Sequence, residues 1–273
     1  MMSRMKQTDW KIEGSGGEAI HGTTHETQGD PKCNLIIAHG FKGYKDYGFF
    51  PWLANKAALA GAITHRFNFS HSGMLGGDGP FERPDLFEVA TWNTSVDDLK
   101  TVISHCSTPH LRTILLGHSR GGVAILLAAG RGAIDVDHLI PLSAPSTCNP
   151  LSEEMQLTML KEGRIESASS RTDQRLCIGR VFLDEQLADP ESHDLLTLVA
   201  NIDVPISVIH GEDDETVLVS SGEAIAKVAK NATFESIHKG NHVFNTENPF
   251  PLEGDPSSQL AELWSAVEKI IQS

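Results

Sequence analysis

A serine held between two glycines is the first feature with chemical content. The stretch Leu111 to Gly130 reads LRTILLGHSRGGVAILLAAG, in which Gly117-His118-Ser119-Arg120-Gly121 separates two apolar runs. Thr113 to Leu116 is short, continuous and β-favouring, as expected of a central parallel strand covered on both faces. Val123 to Ala129 is rich in Ala and Leu and predicts a buried helix. Strand, sharp turn and helix in that order lift the Ser119 hydroxyl clear of the backbone, where it can attack a carbonyl. Gly117 and Gly121 remove side chains that would crowd a strained turn. The first amides of the helix point at the same place, so negative charge developing on a carbonyl oxygen meets N–H donors and a positive helix end.

A serine hydroxyl is a weak nucleophile. It needs a base, and the base needs an acid to orient it. Thirteen histidines are present, so position has to choose among them. In an open parallel sheet the working residues sit just beyond the carboxyl ends of strands. Two late segments fit. Ile206 to Ile209 runs into His210-Gly211-Glu212-Asp213-Asp214-Glu215-Thr216-Val217, and Phe234 to Ile237 runs into His238-Lys239-Gly240-Asn241-His242-Val243-Phe244. The first offers an acid, Asp214 or Asp213; the second offers a base, His242 or His238. His238 and His242 are four residues apart, but Gly240 between them opposes the helix that a metal pair would need. The acidic cluster Glu212 to Glu215 lacks a second set of calcium ligands. No metal and no organic cofactor is expected.

These residues require a scaffold, and the flanking pattern supplies one. Trp10 to Ile12 and Glu18 to His25 predict an opening antiparallel hairpin. Strands are expected at Asn34 to His39, Ala62 to Asn68, Leu139 to Ser143, Ile206 to His210 and Thr233 to Ile237. Helices are expected at Phe49 to Ala60 with Pro51 in the first turn, Thr91 to Cys106, Ser220 to Ala229 and Pro256 to Ile271. Strand–helix alternation argues for a mostly parallel central sheet with helices on both faces. One segment breaks it. From Ala144 to about Asn201 no convincing strand is visible, only short helical patterns such as Ser152 to Glu162 and His193 to Val199. Residues 145–200 therefore read as a small helical cap inserted after the sixth strand of a single domain spanning 1–273.

Composition bounds the partners. At 273 residues, 40% hydrophobic and 21% charged, the chain is an ordinary soluble globule in its make-up. A formal net charge of −14 argues against nucleic acid or an anionic membrane surface, because the phosphate field would repel it. No stretch has the apolar length of a membrane span. The first residues, MMSRMKQTDWKIEG, lack an apolar signal-peptide core, so a cytoplasmic location is expected. Cys33, Cys106, Cys148 and Cys177 are scattered and read as reduced thiols. A small-molecule partner is expected, with a homo-dimer left open.

Taken together, the motifs resemble those of the α/β-hydrolase superfamily over nearly the whole chain from Asn34 onward. The nucleophile elbow matches Gly117 to Gly121. The acid turn His-Gly-x-x-Asp-x-x-Val matches His210 to Val217 and implies Asp214 as the acid. The segment Gly-x-His-x-Phe matches Gly240 to Phe244 and implies His242 as the base. The oxyanion loop His-Gly-Phe matches His39-Gly40-Phe41 and implies the backbone amides of Phe41 and Arg120 as oxyanion donors, with His39 positioning its loop. Small esterases, acylglycerol lipases and serine aminopeptidases are the branch resembled; dehalogenases and epoxide hydrolases carry Asp at the elbow, and dienelactone hydrolases carry Cys.

The resemblance implies hydrolysis of a carboxylic ester or thioester through an acyl-enzyme on Ser119. An aminopeptidase, amidase or C–C hydrolase would use the same three side chains, with an acidic pocket expected for a free-amine substrate. A different class, a ligand-binding protein on the same fold, would leave the coincidence of Asp214 and His242 unexplained. Tyr44, Met74 and Leu75 are candidates for the acyl pocket. Arg120 is expected in an ion pair at the helix start, and Lys42 and Lys45 read as surface charges.

Overall fold

Residues Cys33–Ala38, CNLIIA, are all buried, and successive side chains enter opposite cores. Leu35 and Ile37 face one apolar cluster while Ile36 and Ala38 face another, as the two-residue period of a strand covered on both sides demands. In the computed structural model this strand is the third of eight in one sheet. The structure describes residues 5–273; the first four, part of the stretch read for a leader, lie outside them. The sheet is built from β1 (Gln7–Glu13), β2 (Ala19–His25), β3 (Cys33–Ala38), β4 (Ala62–Asn68), β5 (Arg112–His118) and β6 (His138–Leu142), completed by two late strands. The late strands are β9 (Ile206–Gly211) and β10 (Ala232–Ile237), which follow a separate hairpin of β7 (Arg164–Ala168) and β8 (Arg175–Gly179). The order is β1-β2-β4-β3-β5-β6-β9-β10, with β1 and β2 paired antiparallel, β2 antiparallel to β4, and every later pairing parallel.

Helices close both faces. On one side lie α1 (Phe50–Leu59) and the C-terminal helix α9 (Ser258–Gln272), the latter through Leu260, Leu263, Val267 and Ile271. These recur at three- and four-residue intervals and so share one stripe. Between them in the chain come a short α2 (Pro84–Glu88), started by its proline, and α3 (Trp92–Cys106), followed by α4 (Arg120–Gly130). Thr91 caps α3 in a reciprocal box: its hydroxyl accepts from the Thr94 amide at 3.3 Å, and the Thr94 hydroxyl accepts from the Thr91 amide at 3.1 Å, which satisfies two otherwise free donors. α3 and α4 face the second core with α7 (Leu195–Val199) and α8 (Val219–Val228), the inserted α5 (Glu153–Glu162) and α6 (Val181–Ala188) lying between.

The inserted segment departs from the sequence reading. It is not purely helical, because β7 and β8 pair in register from Arg164 opposite Gly179 to Ala168 opposite Arg175. Each strand has only five residues; β7 is mostly exposed, while β8 exposes only Arg175, and neither is long enough for an apolar pattern to mark it in sequence. Nor does the segment stand apart. Met159, Ile165, Phe182, Leu183, Leu195 and Val199 are all buried in the same core as α3 and α4.

Candidate active site

β5 ends at His118, and α4 starts at Arg120. Ser119 alone makes the turn, at φ 54°, ψ −120°. A residue with a side chain is held at positive φ only when its surroundings leave no alternative. Here the neighbours are decisive: a Cβ on Gly117 would strike the Gly121 carbonyl, and one on Gly121 would strike the Ala38 carbonyl. The Ser119 amide donates to the Leu142 carbonyl at 2.8 Å, and its carbonyl accepts from the Gly122 amide at 2.9 Å. The serine is thus pinned on both sides, and among the described residues its hydroxyl makes no hydrogen bond.

Beyond β9, Asp214 lies in a tight turn and is 3% exposed. Its carboxylate accepts from the amides of Thr216 and Val217, both at 2.9 Å, and from His242 Nδ1 at 2.7 Å. His210 Nε2 stands 3.4 Å away and donates to the Val217 carbonyl at 2.8 Å, closing the turn. Burial alone would raise the Asp214 carboxyl, but the hydrogen bonds from His210, His242 and the Val217 amide outweigh it and hold the group well below the usual carboxylate range. It stays ionised while it holds His242.

His242 is placed by its other neighbours as well as by Asp214. His118 Nε2 donates to the His242 carbonyl at 2.7 Å, and the two rings lie 4.7 Å apart. Burial, with the His242 ring beside it as a smaller contribution, pushes His118 down to about 3. It is therefore neutral, with its proton on the nitrogen that clamps the loop. His39 behaves alike: its Nδ1 donates to the Gly40 carbonyl at 2.8 Å and its Nε2 accepts from the Phe69 amide at 3.2 Å. Burial lowers it to about 4. The Gly40 loop is fixed by a ring that does not charge near neutral pH. Among the described residues neither the Phe41 nor the Arg120 amide has an acceptor.

Ser119 and His242 line one cavity of about 210 Å³, which also takes in Gly40, Phe41, Tyr47 and Arg171. A second cavity of about 40 Å³ shares Gly40, Phe41 and Lys42 with it and extends past Phe69, Ala124 and Arg120. Asp213 is exposed, and His238 sits on the surface with Glu212, Nδ1 to carboxylate 2.8 Å. Both compete poorly with the buried pair.

Three expectations need correction. Tyr44, Met74 and Leu75 line neither cavity; Tyr44 and Met74 are packed in an apolar cluster with Phe81, Phe87 and Leu176. Lys45 is no surface charge: it is buried and donates to Thr23 at 3.0 Å and to Asp46 at 2.6 Å. Lys42 lines both cavities and donates to the Ala168 carbonyl. Arg120 has no ion pair among the described residues and is stacked on aromatic rings instead. Tyr47 and Arg171 went unread because the tip of the β7–β8 hairpin, which carries Arg171, reaches the cavity only through tertiary contacts.

The sheet order, the serine at the sharp β5–α4 turn, and the acid and histidine loops at the same rim define the α/β-hydrolase fold. Solved structures of that fold superpose on most of the chain. Est1E from Butyrivibrio proteoclasticus with bound ferulic acid has a TM-score of 0.70 at 18% identity, covering 95% of this chain and 97% of its own. Mouse α/β-hydrolase domain-containing protein 10 reaches 0.72 at 18% identity, covering 97% and 98%. A soluble variant of Saccharomyces cerevisiae monoglyceride lipase, in complex with a substrate analogue, reaches 0.72 at 15% identity, covering 99% and 96%. No protein-family model and no curated protein matches the sequence.

Proposed function

We propose that this protein is a serine hydrolase that cleaves carboxylic esters or thioesters through an acyl-enzyme on Ser119. The observation that carries the reading is that Ser119, strained at the tip of its turn, lines the same cavity as His242, which is hydrogen-bonded to the buried Asp214. His242, oriented by Asp214, removes the proton from Ser119 as the hydroxyl attacks the carbonyl. The Phe41 and Arg120 amides receive the oxyanion, and such donors typically contribute about 3 kcal/mol each. His242 then protonates the leaving alcohol, and water repeats the sequence to free the acid. The inserted segment 145–200 acts as a cap, with the Arg171 side chain over the cavity. Esterase and lipase names among the fold's neighbours are in keeping with this chemistry.

A free-amine peptidase is disfavoured. The cavity holding Ser119 carries Lys42 and Arg171 and, among the described residues, no carboxylate. A panel of 4-nitrophenyl esters of increasing acyl length, set beside aminoacyl arylamides, tests the reading. Ester turnover that vanishes in Ser119→Ala is expected; preference for the arylamides, or turnover that survives the substitution, would overturn it.

A further inference from the structure

Arg120 follows the nucleophile and forms no ion pair among the described residues. Its guanidinium carbon lies 4.7 Å from the centre of the Trp92 ring, 5.2 Å from Phe182 and 5.9 Å from Phe41. Glu185 is the carboxylate that influences it most, yet its hydrogen bonds go elsewhere: it accepts from the amides of Trp92 at 2.8 Å and Asn93 at 3.2 Å and pairs with His193 at 3.1 Å. Asp98 is the one carboxylate lining the Arg120 cavity among the described residues. Its oxygens are taken by the Ser15 amide at 2.8 Å, the Ser70 amide at 2.8 Å and the Ser70 hydroxyl at 2.9 Å.

A guanidinium stacked on rings keeps its five N–H donors at the edge, in a fork that matches the two oxygens of a carboxylate. Arg120 is half-buried with no direct ion-pair partner among the described residues, and a ligand carboxylate would supply one. The surrounding charge agrees. In a chain of formal net charge −14, the cavities beside Ser119 gather Lys42, Arg171 and Arg120. Lys42 and Arg171 are held by backbone carbonyls, those of Ala168 for the lysine and of Asp78 and Gly79 for the arginine. Neither forms an ion pair among the described residues, and low-dielectric walls focus their charge.

We propose that the substrate is an ester bearing a second, ionised carboxylate, and that Arg120 binds this carboxylate edge-on from the smaller cavity. The proposal rests on the hydrolase reading and narrows it to acidic esters. The space of about 40 Å³ has room for a group the size of a carboxylate. Arg120 thus serves twice, its amide toward the oxyanion and its side chain toward specificity.

Two pairs of esters test this, each an acid beside its methyl-capped neutral twin: mono-4-nitrophenyl adipate with methyl 4-nitrophenyl adipate, and 4-acetoxybenzoate with its methyl ester. The first pair puts the charge on the acyl side, the second on the alcohol side. The wild-type protein is expected to favour the acid in one pair by about tenfold or more in kcat/KM. That ratio should collapse in Arg120→Gln, recover in part in Arg120→Lys, and shrink as salt screens the pair. A ratio near one in both pairs, a ratio indifferent to salt, or a ratio unchanged in Arg120→Gln would overturn the proposal. The wild-type ratio and its salt dependence decide the matter even if a variant fails to fold. Ser119-dependent turnover of the capped esters without any acid preference would sink this inference alone, whereas no Ser119-dependent turnover of either form would sink the hydrolase reading.

Discussion

At the β5–α4 turn the backbone has almost no freedom. Gly117 and Gly121 meet carbonyls where a Cβ would stand, and Ser119 is bonded through both its amide and its carbonyl. Across the cavity, the β7–β8 hairpin is held by side chains reaching over long sequence distances. Gln174 brackets the Phe81 backbone, accepting from its amide at 2.7 Å and donating to its carbonyl at 3.0 Å. Arg171 donates to Asp78 and Gly79 at 2.8 and 2.6 Å. The two regions face one cavity but are specified differently. The rim around Ser119 is set by local backbone constraint, and the opposite wall is set by contacts between distant segments.

The contrast can be broken first at the rim. Two acid–histidine pairs stand side by side there, one buried and one exposed. Asp214→Asn removes the charge that orients His242 and is expected to lower kcat about 10⁴-fold. His238→Gln, in the exposed pair with Glu212, should leave kcat within about twofold, in line with the small worth of exposed ion pairs. Steady-state kinetics on one ester reads both, and equal losses would mean that burial has been misjudged as the deciding factor.

Acid sharpens the comparison next. Burial lowers His25 to about 3, His39 to about 4, His65 to about 4 and His118 to about 3, and all four belong to the main sheet or its rim. In the unfolded chain these rings take up protons near pH 6.5. Below that value the unfolded state binds protons that the folded state refuses, so stability should fall continuously from about pH 6.5 toward pH 4. Asp214 has the opposite charge but the same direction: its folded value lies below its unfolded one, so its stabilisation is lost only below about pH 4. Denaturant midpoints measured against pH should show this slope. His118→Gln should flatten it by up to one proton, about 1.4 kcal/mol per pH unit, and an unchanged slope would contradict the neutral clamp assigned to that ring.

The smallest effect belongs to the hairpin. Gln174→Ala deletes both bonds to Phe81 and should weaken its docking by about 1–2 kcal/mol. Limited proteolysis between Ser169 and Gln174 should quicken and KM should rise, while kcat changes little. A fall in kcat matching that of Asp214→Asn would tie the hairpin to the chemistry itself.

Much of the rim was legible because its residues constrain one another over short distances. The glycines around Ser119, the eight-residue acid turn from His210 to Val217 and the Gly240 to Phe244 loop each declare their geometry locally, and apolar alternation marks the strands beneath them. Lys45, Arg120 and Arg171 were misread or unread for the opposite reason. A lysine in a polar loop carries no local sign that Thr23 and Asp46 will bury it, and an arginine at a helix start looks ready for an ion pair. The rings that stack on Arg120 come from three separate segments, at Phe41, Trp92 and Phe182. β7 and β8 escaped notice because five-residue, half-exposed strands are specified by their pairing and not by their pattern.

The central claim is that Ser119 is a nucleophile activated by His242 and Asp214. Fluorophosphonate treatment followed by peptide mapping addresses it without knowledge of the substrate. The account predicts one adduct, on the peptide containing Ser119, formed quickly by the wild type, much more slowly by Asp214→Asn and not at all by Ser119→Ala. A wild-type protein that stays unmodified, or an adduct that persists in Ser119→Ala, would contradict it.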